Sequence, residues 1–315
     1  MTHIRTTLRP SARGALVGTL ALIAVPAFAQ ETVQGTYALP DGNPKVTATL
    51  AVRPGAGLRR TLDITMAPVG GTAPFRQYEL ELSKQMHIIA VDGALQAFVH
   101  EHGERPGPGG HFRIGMAFPH QGLWHVYADA VPRGIGQQVV RFEVPIGTRP
   151  SADIRPDLAP TGHLSSDGSY AVQVEAAELK AGQDSELRLH LLRDGKPAPD
   201  VTPYLGVAAH AVFIDAADLT YVHVHAVPAG GSSGGSAGGH GDADMSGMAH
   251  GHGTRAHPAA MPGMEGMGPP LAPGARVRPD LVLQVVPPRP GDYVLWVQFI
   301  GGGKVRTIRL VVAAA

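Results

Sequence analysis

The chain has 315 residues, with 26 Lys plus Arg against 26 Asp plus Glu, 41 Gly, 28 Pro, no Cys and 17% charged residues. That length suits about two ordinary domains, and a net charge near zero with no Lys/Arg-dense face excludes the broad basic field that nucleic-acid binding needs. Without Cys there is no disulfide framework, Cys-ligated zinc site, iron–sulfur cluster or thiol nucleophile, so any chemistry falls to His, Met, carboxylates and hydroxyls.

Residues 1–29 read as a signal peptide. Arg5, Arg9 and Arg13 precede an uncharged run, Gly14 to Phe28, and the sequence Ala27-Phe28-Ala29 supplies a cleavage site. The expectation is a periplasmic or secreted protein cut near Ala29. Losing the leader removes three Arg and no acid, so the remainder is mildly acidic. The uncharged run is shorter than the roughly 20 residues of a membrane-crossing helix, and no later stretch is longer and apolar, so no membrane span is expected.

After a short N-terminal segment, 30–44, apolar residues alternate or come in short β-branched runs broken by Gly, Pro and Asp. Lys45-Val46-Thr47-Ala48-Thr49-Leu50 and Val305-Arg306-Thr307-Ile308-Arg309-Leu310-Val311 are examples. No segment of helical length carries a sustained 3.6-residue stripe. An all-β fold of antiparallel sandwiches is predicted.

Comparison of the chain with itself divides it. Met86 to His102, MHIIAVDGALQAFVHEH, lies over Ala209 to His225, AHAVFIDAADLTYVHVH, at an offset of 123, with six of 17 positions identical and three of those His. Gly122-Leu-Trp-His-Val-Tyr echoes Gly291-Asp-Tyr-Val-Leu-Trp at an offset of 169, and Gln138 to Val144 echoes Arg306 to Val312 at 168. Two tandem immunoglobulin-sized sandwich repeats are therefore predicted, 45–147 and 169–314, joined by a Pro-, Asp- and Ser-rich linker, 148–168. The larger offset marks an insertion in the second repeat, 229–274, made almost wholly of Gly, Ser, Ala, Pro, His and Met. It has too little to bury and is expected to be disordered. Trp124 and Tyr293, and Tyr127 and Trp296, fall at matching positions and read as core anchors of equivalent strands.

The pattern H-x12-H-x-H occurs once per repeat, as His87, His100, His102 and as His210, His223, His225. Side chains two apart on a strand share a face. If Asp92 to Leu95 forms a four-residue hairpin loop, His87 stands opposite His100, and three imidazoles converge within reach of one ion. A His-x-His can also be a plain solvent face; persistence of all three His in two otherwise diverged copies favours a metal site. The insertion adds Met245, Met248, Met261, Met264 and Met267 interleaved with His240, His250, His252 and His257, five of the nine Met in the chain lying within 23 residues. Thioethers suit Cu(I) and imidazoles accept Cu(II), so copper explains both ligand types, whereas zinc explains only the His. His111, His120, His125, His163 and His190 join no constellation.

Pro203-Tyr-Leu-Gly-Val-Ala-Ala-His210, Asp218-Leu-Thr-Tyr-Val-His-Val-His225, Lys84-Gln-Met-His87 and Phe98-Val-His-Glu-His102 resemble a family of secreted bacterial immunoglobulin-like proteins related to YtkA-like and FixH-like domains. The resemblance covers both repeats but not the insertion. It implies an immunoglobulin-like fold, an envelope location and a link to copper or heavy-metal handling. One departure concerns the loop after the His pair: Ala226-Val227 precede Pro228, and Gly103 follows His102, where the family has Pro at once.

The function expected from these readings is a non-catalytic copper buffer or carrier. Its partners are the metal ion and another envelope metal-handling protein. The alternatives are an envelope scaffold or adhesion module with structural His, and a copper-dependent oxidoreductase. No H-E-x-x-H and no convincing carboxylate pair supports hydrolytic chemistry.

Overall fold

The computed structural model describes residues 31–148, 156, 158, 164–175, 178–230 and 270–315. Among them there is no helix, and every pairing between strands is antiparallel. Among the described residues no helix is long and apolar enough to cross a membrane.

Alternation builds the outer strands. In β3 (Val46–Pro54), Val46, Ala48, Leu50 and Val52 point inward between exposed or half-exposed neighbours. β4 (Arg59–Pro68) and β7 (His111–Ala117) complete the inward face with Leu62, Ile64, Phe112 and Ile114, and β1 (Glu31–Gln34) adds the edge, giving the order β1-β3-β4-β7. The second sheet of this half runs β2-β9-β8-β5-β6, from β2 (Thr36–Tyr37), β5 (Met86–Asp92), β6 (Phe98–Gly103), β8 (Gly122–Ala130) and β9 (Gln138–Ile146). Met86, Ile88, Trp124, Val126 and Phe142 close the core between the two sheets.

The same order recurs in the second half. β11 (Tyr170–Val174), β12 (Ser185–Arg193) and β17 (Asp280–Val285) follow β3-β4-β7, while β19 (Lys304–Ala314), β18 (Gly291–Gly301), β15 (Ala209–Asp215) and β16 (Tyr221–Pro228) follow β9-β8-β5-β6. Short β10 (Leu164–Asp167), β13 (Lys196–Pro197) and β14 (Val201–Thr202) lie on the edges. Here β16 runs on to pair with β17 through Val227 and Pro228, so one ten-stranded sheet curls round its core in a partly barrel-like way. β10 lies inside the stretch read from sequence as linker, and the short N-terminal segment, 30–44, supplies two strands, β1 and β2.

What positions the site is the contact between halves. β5 and β15 are buried along their whole length on both faces. One face of β5 enters the first core; the other presents Ile89 and Val91 to Val212, Ile214, Tyr221, Val294 and Trp296 of the second half. Tyr127 and Trp296 belong to this contact rather than to the cores of their own halves, as the sequence had suggested. Trp124 and Tyr293 do lie in those cores. The contact is pseudo-symmetric: Phe98 stacks on Trp296 at 5.1 Å between ring centres and Tyr221 on Tyr127 at 5.2 Å. At its margins Arg309 Nε donates to the Leu95 carbonyl at 2.6 Å and Arg141 to that of Asp218 at 2.9 Å.

Candidate metal centre

The His hairpins turn differently from the sequence expectation. The Asp92 carboxylate accepts the backbone N–H of Gln96 at 2.7 Å and of Ala97 at 2.8 Å, and Leu95 takes a positive φ of 52°. The loop therefore spans Asp92 to Ala97, and His87 pairs with His102, not His100, which lies opposite Ile89. In the second half the Asp215 carboxylate accepts instead the N–H of Ala217 at 2.7 Å and of Asp218 at 3.3 Å, Leu219 takes a φ of 64°, and His210 again stands opposite His225. The shift is two residues, so every side chain keeps its face and the three His of each hairpin still converge.

Both triads point out of their own cores into the seam between the halves, where they meet. The His87 ring centre lies 5.4 Å from His100, 5.0 Å from His102, 6.1 Å from His210 and 5.4 Å from His223. His210 lies 5.6 Å from His223 and 4.8 Å from His225. The six imidazoles form one cluster built from both halves. Each triad places one nitrogen from each ring within 4.8 Å of the others, so each could hold a metal ion. His87 Nδ1 to His100 Nε2 is 3.2 Å and His210 Nδ1 to His223 Nε2 is 3.3 Å. Two imidazoles on a tetrahedral ion at 2.0–2.1 Å stand about 3.3 Å apart.

Burial fixes their charge state. Desolvation is the largest cause in every case: it lowers His87 and His225 to about 4 and His100 and His102 to about 3, and it holds His210 and His223 well below the usual imidazole range. Neutral rings have free lone pairs, which is what a metal requires. Both ring nitrogens of buried His225, and Nε2 of His102, have no hydrogen-bond partner. Such atoms cost about 1–3 kcal/mol each when left unsatisfied.

Four further residues contact the cluster. Asp129, opposite His87 on β8, lies 3.2 Å from His223 Nδ1 through Oδ2, and Gln298, opposite His210 on β18, lies 2.7 Å from His100 Nδ1 through Oε1. His87 Nε2 donates to the Glu81 carbonyl at 3.4 Å and His210 Nε2 to the Tyr204 carbonyl at 3.1 Å. Glu81 and Tyr204 sit in matching turns, next to Leu82 and Leu205 at positive φ. Glu81, Asp129 and His223 form a third group able to hold an ion. Burial raises both carboxyls above their ordinary values, Glu81 the more strongly. Sequence reasoning missed all four. The usable signal was positional, because offsets of 123 and 169 place Glu81 on Tyr204 and Asp129 on Gln298.

A family model described as a domain of unknown function, DUF8832, matches residues 40–148 and 164–315. The chain belongs to that family. Both triads and the four residues around them lie inside the DUF8832 match. No curated protein matches the chain. A crystal structure of a mutant Salmonella alpha-2-macroglobulin is similar over 90% of this chain and 19% of that one, at 11% identity and a TM-score of 0.21, which carries no argument about fold or function.

The structure does not gather every sequence candidate of this DUF8832 chain. Met245, Met248, His250, His252, Met261, Met264 and Met267, with the leader, lie outside the described residues. His125 is buried opposite Val91, at the position matching Val294, and His190 bridges Asp280 and Glu175 on the surface. Neither touches the cluster.

Proposed function

We propose that the protein is a metal-binding protein of the bacterial envelope, a copper buffer or carrier, whose resident site is the six-His cluster. The observation that carries this is the convergence of the two triads in one buried seam where His225 has no partner at either ring nitrogen. A polar strand face would meet solvent; here neutral imidazoles are withdrawn from water and aimed at one another, at a cost that a bound ion offsets. Imidazole alone suits Cu(II), zinc or nickel, and the preference for copper comes from the Met-rich segment, whose thioethers favour Cu(I).

In this reading the halves are immunoglobulin-like repeats, 45–147 and 169–314, related to YtkA-like and FixH-like domains. The protein is exported after cleavage near Ala29, and residues 229–274 capture or pass the ion to another envelope metal-handling protein. No enzymatic step is required. The test is elemental analysis of protein purified from its native compartment, with copper expected at one or more per chain. Metal-free protein that also takes up no Cu(II) against a weak chelator would contradict the reading.

A further inference from the structure

The repeat that builds the cluster also shows where it is broken. Glu81 and Tyr204 occupy matching turns, and Asp129 and Gln298 matching strand positions, so the His100 side of the seam has a phenol and an amide where the His223 side has two carboxyls. Those two carboxyls enclose His223 Nδ1, Asp129 Oδ2 at 3.2 Å and Glu81 Oε1 at 3.6 Å. His223 Nε2 faces the other way, 3.3 Å from His210 Nδ1. Asp129 is shut off from solvent, Glu81 is 5% exposed, and Glu81 Oε2 has no hydrogen-bond partner.

We propose that Glu81, Asp129 and His223 Nδ1 form a second cation site, suited to a borderline divalent ion such as Zn(II), and joined to the three-His site by the His223 ring. The inference rests on reading the cluster as a metal centre, but its ligands are different atoms. Two carboxylates neutralise a divalent ion, and an O,O,N set prefers zinc or manganese to Cu(I), which favours soft donors. Three protein ligands leave one position open. When both ions are bound, two metal–nitrogen bonds replace one N–H bond, the ring proton passes to solvent, and no oxidation occurs. The Gln298 side cannot do the same, because an amide and a phenol supply no compensating charge. The centre takes its second ion on one side only.

The full chain is loaded with two equivalents of Cu(II), one per triad, given excess Zn(II), desalted, and both metals are counted by mass spectrometry. Wild type retains one zinc per chain with its copper undiminished. Glu81→Gln, shown to keep a cooperative unfolding transition, retains copper and loses at least fivefold of the zinc, and Asp129→Asn loses the zinc likewise. A wild type that retains no zinc overturns the proposal before any variant is made, and so does zinc retained equally by Glu81→Gln. A copper-free arm separates this site from the triads. A His102→Ala, His225→Ala double variant given Zn(II) alone binds it, and adding Glu81→Gln removes it. Glu81-dependent zinc in a protein that takes no copper would leave this site standing and the triad reading refuted. Zinc independent of Glu81 in this arm overturns the site.

Discussion

His223 holds its Nδ1 3.2 Å from Oδ2 of Asp129, a residue 94 positions earlier in the chain and on the opposite half of the molecule. The same carboxylate accepts the Tyr221 hydroxyl at 3.1 Å and the Gln137 amide at 3.0 Å. One buried side chain thus ties an imidazole of the second half to the sheet of the first, and the cluster exists only while the halves stay docked. Asp129→Ala removes the acceptor from three donors and should destabilise the metal-free protein by about 2–4 kcal/mol. Asp129→Asn, which keeps one acceptor oxygen, should cost less. Urea unfolding of both variants checks this; equal stability of Asp129→Ala and wild type would show that the tie contributes nothing.

The stacked pairs at the seam carry its apolar part. Trp296→Ala should cost about 3–5 kcal/mol, and a double-mutant cycle of Phe98→Ala with Trp296→Ala should give a coupling of about 0.5–1.5 kcal/mol. Because the triads face one another across this contact, Trp296→Ala should also weaken Cu(II) binding at least tenfold without altering any ligand. Unchanged affinity would mean that one triad suffices.

Acid should unfold the metal-free protein early. The imidazoles of His87 and His225 are lowered to about 4 and those of His100 and His102 to about 3, against about 6.5 in the unfolded chain. The unfolded state therefore binds more protons below pH 6.5. Stability present above that pH is lost as pH falls toward the folded values. Glu81 and Asp129, raised by burial, act in the opposite sense, but they are two groups against six imidazoles. The urea midpoint should fall steadily from pH 7 to pH 4.5, and copper should flatten the curve at the upper end. A midpoint independent of pH over that range would show that the rings do not stay neutral in the fold.

Strand period was legible in Val46 to Leu50 and in Ile308 to Leu310, and the His spacing placed the three imidazoles of each hairpin on one face. The hairpin register was not legible to the residue: Asp92 and Asp215 close loops of the same length while their carboxylates take different N–H groups, Gln96 and Ala97 against Ala217 and Asp218. An even slip left the face intact. The docking of the halves was missed, although Ile88-Ile89-Ala90-Val91 and Val212-Phe213-Ile214 carry its mark: a continuous apolar run on a strand means burial on both faces. Once β5 and β15 are buried on both sides, His87 and His210 have nowhere to point but at each other's half. Glu81 and Asp129 were illegible as members of the cluster because single acids among apolar residues look like ordinary surface positions until the partner sheet covers them.

The claim that the two triads form the metal centre is tested most directly by competitive titration of Cu(II) against a chelator, on wild type and on the His102→Ala, His225→Ala variant. These two rings have nitrogens without hydrogen-bond partners, so their loss should spare the fold, which circular dichroism verifies. The variant should bind Cu(II) about a hundredfold more weakly or worse. A companion variant with the five Met of the insertion changed to Leu should keep its Cu(II) affinity within about threefold and lose affinity only for Cu(I). A folded His102→Ala, His225→Ala protein with wild-type Cu(II) affinity would show that the imidazoles of the seam are structural and that copper, if bound, is held elsewhere.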